Sequence, residues 1–256
     1  MIDKSIILKL RQETGAGMVD CQKALEESNG NIEEATEILR KKGTLKAAKK
    51  AERATKEGLV ALKVSDDKKK GAIVQVNCET DFVSRNENFI NLVNELLEKT
   101  FAGESAEQYF EEQKSELVMK IGENLQFGRE AVIEGAFVVG YLHSNKKNGV
   151  LISFDKEIDA TLASGIAMHV AAMQPKYLSS EEIPADVIAK EKEIYAEQLK
   201  AEGKPENMIE KIMGGKLSKF YEDVCLLNQK YIKDDSKSIQ EMIKDAKINS
   251  FLLFKF

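Results

Sequence analysis

The sequence has no tryptophan, three prolines, three cysteines and two histidines among 256 residues. Few prolines leave most of the chain free to be helical, because an internal proline breaks the helical ladder. Cys21, Cys78 and Cys225 are far apart and odd in number. They draw neither a disulfide framework nor a zinc spacing, so a reducing cytoplasm is the expected home. No apolar run approaches the about eighteen residues that a membrane span needs. Near the N-terminus only Ile6-Ile7-Leu8 is unbroken and apolar, between Asp3 and Glu13, which predicts neither a secretory signal nor a transit peptide. Catalytic signatures are missing too. The glycine-rich dinucleotide pattern, the P-loop, the HExxH zinc helix and the GxSxG elbow are all absent.

What is present is 43% hydrophobic and 32% charged, the balance of a helix-rich globular chain. At about 150 residues per domain the length suggests one or two units. Thirty-eight Lys and Arg against forty-three Asp and Glu leave a net charge of −5. That balance argues against a nucleic-acid binder as a whole and leaves a local basic patch open.

Residues 1–43 read as a small helical bundle. Ile6, Ile7 and Leu10 share one face, Thr14-Gly15-Ala16-Gly17 breaks the period, and Met18, Cys21 and Leu25 mark a second helix. Asn29-Gly30 stops it. Asn31 with Glu34 has the form of a capping box before the stripe Ile32, Ala35, Ile38 and Leu39, and Gly43 is expected to close that third helix. Residues 44–57 then form a basic linker with Lys46, Lys49, Lys50, Arg53 and Lys56, either an RNA or phosphate contact or a solvated helix.

From Gly58 the period becomes two. Val60, Leu62 and Val64 alternate, SDDKKKG turns the chain, and Ala72, Val74 and Val76 alternate back, predicting a hairpin. A helix around Phe89, Leu92, Val93 and Leu96 follows, then an amphipathic stretch from Ser105 to Lys120. A second hairpin, Phe137 to Leu142 and Gly149 to Phe154, precedes a helix with Ile166, Val170 and Met173. Placing Gly71 over Gly149 sets Leu59-Val60 over Phe137-Val138, so residues 58–135 and 136–256 are expected to be two similar α+β subdomains sharing a core. Within the second, residues 186–221 predict an antiparallel helical hairpin turning at Glu202 to Pro205. Ser250 to Phe256 predicts a final strand. The fold class is α+β.

Candidate chemistry is sparse. Cys78 and His143 offer a nucleophilic pair, against the plainer reading of Cys78 as a small core hydrophobe. His169, in AMHVAAM, reads as a core residue. Phe82, in ETDFV, lies where a strand gives way to a helix. By residue type alone it reads first as a core aromatic closing the hairpin, although such a turn can also project it.

Taken together, LRQETGAGMVDCQKALEESNGNIEEA, VNCETDFVSRNENF, KIGEN, EGAFVVGYLH, IAMHVAAMQPKYL and the GKP-centred hairpin resemble the bacterial translation elongation factor Ts family, in order and spacing, from about Ile6 to the last strand. The resemblance implies a ubiquitin-associated-like N-terminal bundle and a guanine nucleotide exchange factor for elongation factor Tu. It implies that Phe82 intrudes between helices of that GTPase and disturbs its Mg²⁺ and phosphate site. Asp81, Phe82, Ile121, Gly122 and His143 match positions that together receive one helix of the nucleotide domain, and Thr80 and Val83 beside them are expected to contact the GTPase as well. Arg11, Met18 and Val19 match contacts of the N-terminal bundle. No catalytic residue, cofactor or metal of the chain's own is implied, nor a membrane or direct nucleic-acid partner. Val19 stands where relatives often carry methionine. Longer members continue past the final strand into another helical module, whose contacts are expected to be absent here; homodimer formation is left open. Two other functions compete: an RNA or ubiquitin-like-protein adaptor, whose RNA binding would weaken steeply with salt, and a Cys78-dependent enzyme.

Overall fold

The fold, taken from a computed structural model, describes residues 2–203 and 205–256. The Asp3 carboxylate accepts from the Ser5 N–H at 2.8 Å and caps helix α1, Lys4–Thr14. Helix α2 is Met18–Glu27. Asn31 accepts from the Glu33 and Glu34 N–H groups and opens α3, Ile32–Lys50. Ile7, Leu10, Cys21, Leu25, Ala35 and Leu39 of the predicted stripes form the bundle core together with Ala16 and Ala24, while Ile6, Met18, Ile32 and Ile38 pack partly buried against it.

Strands β1, Glu57–Val64, and β2, Lys70–Cys78, form the first hairpin. The four-residue helix α4, Asp81–Ser84, leads to α5, Glu87–Ala102, and α6, Ala106–Ile121. Strand β3, Leu125–Glu134, then pairs antiparallel with β2. The second hairpin is β4, Phe137–Leu142, and β5, Asn148–Phe154, followed by α7, Ala160–Met173. Helices α8, Ala185–Ala201, and α9, Glu206–Val224, are side by side where Lys216 donates to Gln198 at 3.1 Å. Their expected turn includes Lys204, which lies outside the described residues. Strands β6, Lys230–Tyr231, and β7, Asp234–Ser238, helix α10, Ile239–Ile243, and strand β8, Ile248–Lys255, complete the chain.

The chain is mixed α+β, with sheet orders β1-β2-β3 and β4-β5-β8. Alternation explains how the layers stack. Ala72, Val74, Val76 and Cys78 of β2 pack beneath α5 and α6, while Ile73 turns the other way. There it joins Val60 and Ile133 against Val138, Leu151 and Phe254 of the second sheet. The opposite face of that sheet, through Val150, Ile152 and Phe154, carries α7 and α10. Both sheets therefore have two buried faces, and β2 and β5 read as almost continuous apolar runs.

One sequence expectation needs correction. Gly43 does not close the third helix; α3 continues through it to Lys50. Gly43 is instead where α3 meets α6, since a Cβ there would lie 2.5 Å from the Met119 sulfur and 3.1 Å from the Ser115 carbonyl. The basic residues beyond it are largely engaged: Lys46 pairs with Asp20 at 2.7 Å, Lys50 donates to the Gly122 carbonyl, and Arg53 lies 3.5 Å from Glu79. The Lys46 pair lies within the bundle, joining α3 to α2, whereas Lys50 and Arg53 reach from the end of α3 to the turns at Gly122 and Glu79.

His169 is fully buried, as the sequence predicts. Its Nε2 lies 3.0 Å from Gln229 Oε1, and its Nδ1 accepts the Ile232 N–H at 3.2 Å, which defines a neutral ring donating through Nε2. Burial holds its pKa below the usual histidine value, the Gln229 bond opposing. Unfolding therefore takes up a proton at low pH. This contribution to stability is complete above about pH 6.5 and declines as pH falls from there toward the folded-state value, by at most about 1.4 kcal/mol per pH unit. Denaturant midpoints across pH 5 to 7.5 are expected to fall more steeply toward acid for the wild type than for His169→Gln; parallel curves would refute this.

Candidate functional site

The end of β2 passes into α4 with one change of direction, and Phe82 stands at that point. Thr80 is extended, with φ −127° and ψ 157°, and its hydroxyl accepts the Val83 N–H at 3.5 Å. The Ser84 hydroxyl donates to the Asp81 carbonyl at 2.8 Å, and Arg85 pairs with Asp81 at 3.0 Å. Val83 turns inward to the core beneath α5, so its neighbour is directed outward. Phe82 is 80% exposed, the most exposed large hydrophobic residue described. The core-aromatic reading of Phe82 is thereby excluded.

Beneath it the backbone is held by polar bonds. The Glu123 carboxylate accepts the Glu79 and Thr80 N–H groups, each at 3.0 Å, and the Thr80 hydroxyl at 2.6 Å. Glu79 in turn accepts the Asn124 N–H at 2.6 Å. The Asn124 amide is fully buried and donates to the carbonyls of Ala51 and Arg53 at 3.3 and 2.8 Å. Lys50 reaches the Gly122 carbonyl; burial, aided by the Arg53 charge, pulls its pKa below the ordinary lysine value. Gly122 itself ends α6 at φ +87°, a left-handed conformation that suits glycine, with its N–H on the Val118 carbonyl.

These bonds bring Thr80, Asp81, Phe82 and Val83 together with Ile121 and Gly122. Ile121 is half-buried against the core under α5, and Gly122 is exposed. The bundle adjoins the same corner, because Gly15 lies against the Lys120 stem. On it Arg11 and Val19 are exposed, Val19 at 64%, whereas Met18 is half-buried against the bundle core. His143 is on the turn after β4, exposed, with Nδ1 2.8 Å from the Tyr141 hydroxyl. Its connection to the Phe82 turn is indirect. The same turn carries Lys147, which pairs with Glu57, and Glu57 is the β1 partner of Cys78.

Cys78 and His143 do not form a nucleophilic pair. The thiol faces the core and lies 3.2 Å from the Thr80 carbonyl. Burial, with the Glu123 charge adding to it, pushes its pKa up to about 12, so it stays protonated at neutral pH. Among the described residues no group of three or more His, Cys, Asp or Glu is arranged to hold a metal ion, and no helix is long and apolar enough to cross a membrane. Sequence reasoning missed Glu79, Glu123 and Asn124. KIGEN reads as a motif, but its Glu acts on Glu79 and Thr80 and its Asn on Glu79, Ala51 and Arg53, all distant in sequence, a pairing that no local pattern announces.

Phe82 projects outward from a turn held from below by hydrogen bonds, an arrangement suited to docking against a macromolecule. Comparison with known proteins gives that class a family. The family model described as Elongation factor TS matches residues 79–256. A protein named elongation factor Ts from Nitratiruptor sp. is 48% identical over 96% of this chain and 87% of its own. Those from Hydrogenobaculum sp. and Aquifex aeolicus are 47% and 43% identical, over 96% and 95% of this chain and 95% and 92% of theirs. The chain belongs to the elongation factor Ts family, and its role is in translation elongation.

Proposed function

We propose that the chain is a guanine nucleotide exchange factor that binds elongation factor Tu carrying GDP and speeds GDP release by disturbing the Mg²⁺ and phosphate site of that GTPase. The observation that carries this reading is the exposure of Phe82 on a turn that is fixed from below. A large apolar side chain held in water gains most when a partner covers it. It promotes release only if the contact is better in the nucleotide-free state than in the GDP state, since equal affinity for both shifts nothing. Linkage then makes GDP weaken binding of the factor by the same ratio. In this role no covalent bond is made or broken on the chain. Asp81, Phe82, Ile121 and Gly122 would receive one helix of the nucleotide domain with His143 at the margin, and Arg11, Met18 and Val19 would touch the same domain from the bundle. On this reading the N-terminal bundle, two α+β subdomains and the helical hairpin act as separate parts.

The deciding experiment is release of labelled GDP from elongation factor Tu with and without this protein. A many-fold acceleration that depends on factor concentration is expected; no acceleration would end the proposal. The hairpin of α8 and α9 gives a second expectation. Its base is closed by the Tyr177–Cys225 bridge and the Lys176 N–H on the Val224 carbonyl, at 2.8 Å. Replacing residues 186–221 by a short turn should leave the denaturant midpoint nearly unchanged and at least half of the exchange rate. Complete loss of exchange in a folded deletion would mean that the hairpin meets the GTPase or forms a required dimer.

A further inference from the structure

The turns carrying Phe82 and Gly122 lock together by exchanging carboxylates. Glu123 takes the Glu79 N–H, the Thr80 N–H and the Thr80 hydroxyl, while Glu79 takes the Asn124 N–H. Such bonds to an ionised acceptor are stronger than neutral ones. Phe82 itself is 80% exposed, so side-chain packing does little to set its direction. That direction comes from the backbone of Glu79 to Val83, and Glu123 takes both N–H groups that precede α4.

We infer that Glu123 is a positioning residue for exchange, presetting the Phe82 turn in the form that docks. This rests on the exchange reading above. Without the carboxylate the turn populates other conformations. The apparent affinity for the partner then falls by the competent fraction, because the partner must wait for or impose the docking form. Once docked, Phe82 occupies the same place, so release from the saturated complex keeps its rate. A residue that merely supported the fold would shift the denaturant midpoint without this division.

The test uses the full chain with Glu123→Ala, Glu123→Gln and Phe82→Ala, read by GDP release from elongation factor Tu across factor concentration. Glu123→Ala should raise the half-saturating concentration about tenfold with an unchanged maximal rate. Glu123→Gln should remain within about threefold of wild type, since its carbonyl accepts both N–H groups and the Thr80 hydroxyl can reverse to accept the amide. In the Phe82→Ala background, Glu123→Ala should add less than about threefold, because coupled positions are not additive. In the free protein, the Glu79 and Thr80 amides should exchange hydrogen about tenfold faster in Glu123→Ala, with β2 and β5 unchanged. The role is overturned if half-saturation is unmoved by Glu123→Ala, or if the full effect persists without Phe82. A wild-type protein that releases no GDP overturns the exchange reading and this role with it, even where the amides respond.

Discussion

Phe82→Ala is expected to slow GDP release from elongation factor Tu about thirtyfold while leaving the fold intact. The first number follows from a buried aromatic at the centre of an interface, where truncation costs about 2 kcal/mol or more. The second follows from exposure: at 80% the side chain contributes little to the core, so its removal should change stability by no more than about 0.5 kcal/mol. A core phenylalanine behaves oppositely. Phe89, in the first turn of α5 and fully buried, should cost about 3–5 kcal/mol when truncated. Comparing denaturant midpoints and release rates of the two variants separates docking from packing. His143→Ala should slow release in the same direction but less, because His143 is bonded to Tyr141 and belongs to a neighbouring turn. A stable Phe82→Ala protein that releases GDP at the wild-type rate would remove Phe82 from the mechanism and leave the family assignment standing.

How far the sequence led depends on whether the governing interaction was local. Both hairpins were legible because alternation is set by the pleat, and Gly71 and Gly149 hold the same place, opposite Val64 and Leu142. Strand β3 was not. It is an edge strand in which Gly128 is left over between the pairs Val76–Phe127 and Gln75–Arg129, and that bulge breaks the period of two. Helix α10 did carry a signal, the Ser238–Glu241 capping box, but five residues are too few for a stripe. Gly43 misled for a physical reason: a glycine that ends a helix and one that admits a neighbouring helix look alike in sequence. At the site, the resemblance to known motifs pointed to Phe82, whereas its residue type alone favoured the core. The carboxylate exchange beneath it joins segments distant in sequence, so only the fold reveals it.

Asn124 is where that hidden network should be most sensitive, and Asn124→Asp is the severest single change in charge and hydrogen bonding at the site. The side chains are nearly the same size, so packing is held constant. The Asn124 amide donates two bonds, to the carbonyls of Ala51 and Arg53, from a position with no exposure. An aspartate replaces that donor with an acceptor, sets oxygen against two carbonyl oxygens, and adds negative charge beside Glu79, which already accepts the Asn124 N–H, and beside the adjacent Glu123. Each buried carbonyl left unpaired costs about 1–3 kcal/mol, and the ionised form adds desolvation and repulsion. A loss of about 4 kcal/mol at neutral pH is expected, read as a lowered denaturant midpoint. The sign with pH is fixed by the same geometry. The folded state prefers the protonated acid, so the carboxyl pKa in the folded state rises above its unfolded value of about 3.9, and the penalty grows as pH climbs from there. Near pH 4 the variant should recover much of its stability relative to wild type, since a protonated carboxyl can again donate to one carbonyl. Asn124→Ala keeps the unpaired carbonyls without the charge, and should lie between the two with no such pH dependence. If Asn124→Asp were as stable as wild type at pH 7, the end of α3 would not depend on this amide, and other contacts between the bundle and the rest of the chain, among them Gly43 against Met119, Gly15 against Lys120 and the Lys50 bond to Gly122, would suffice to hold it.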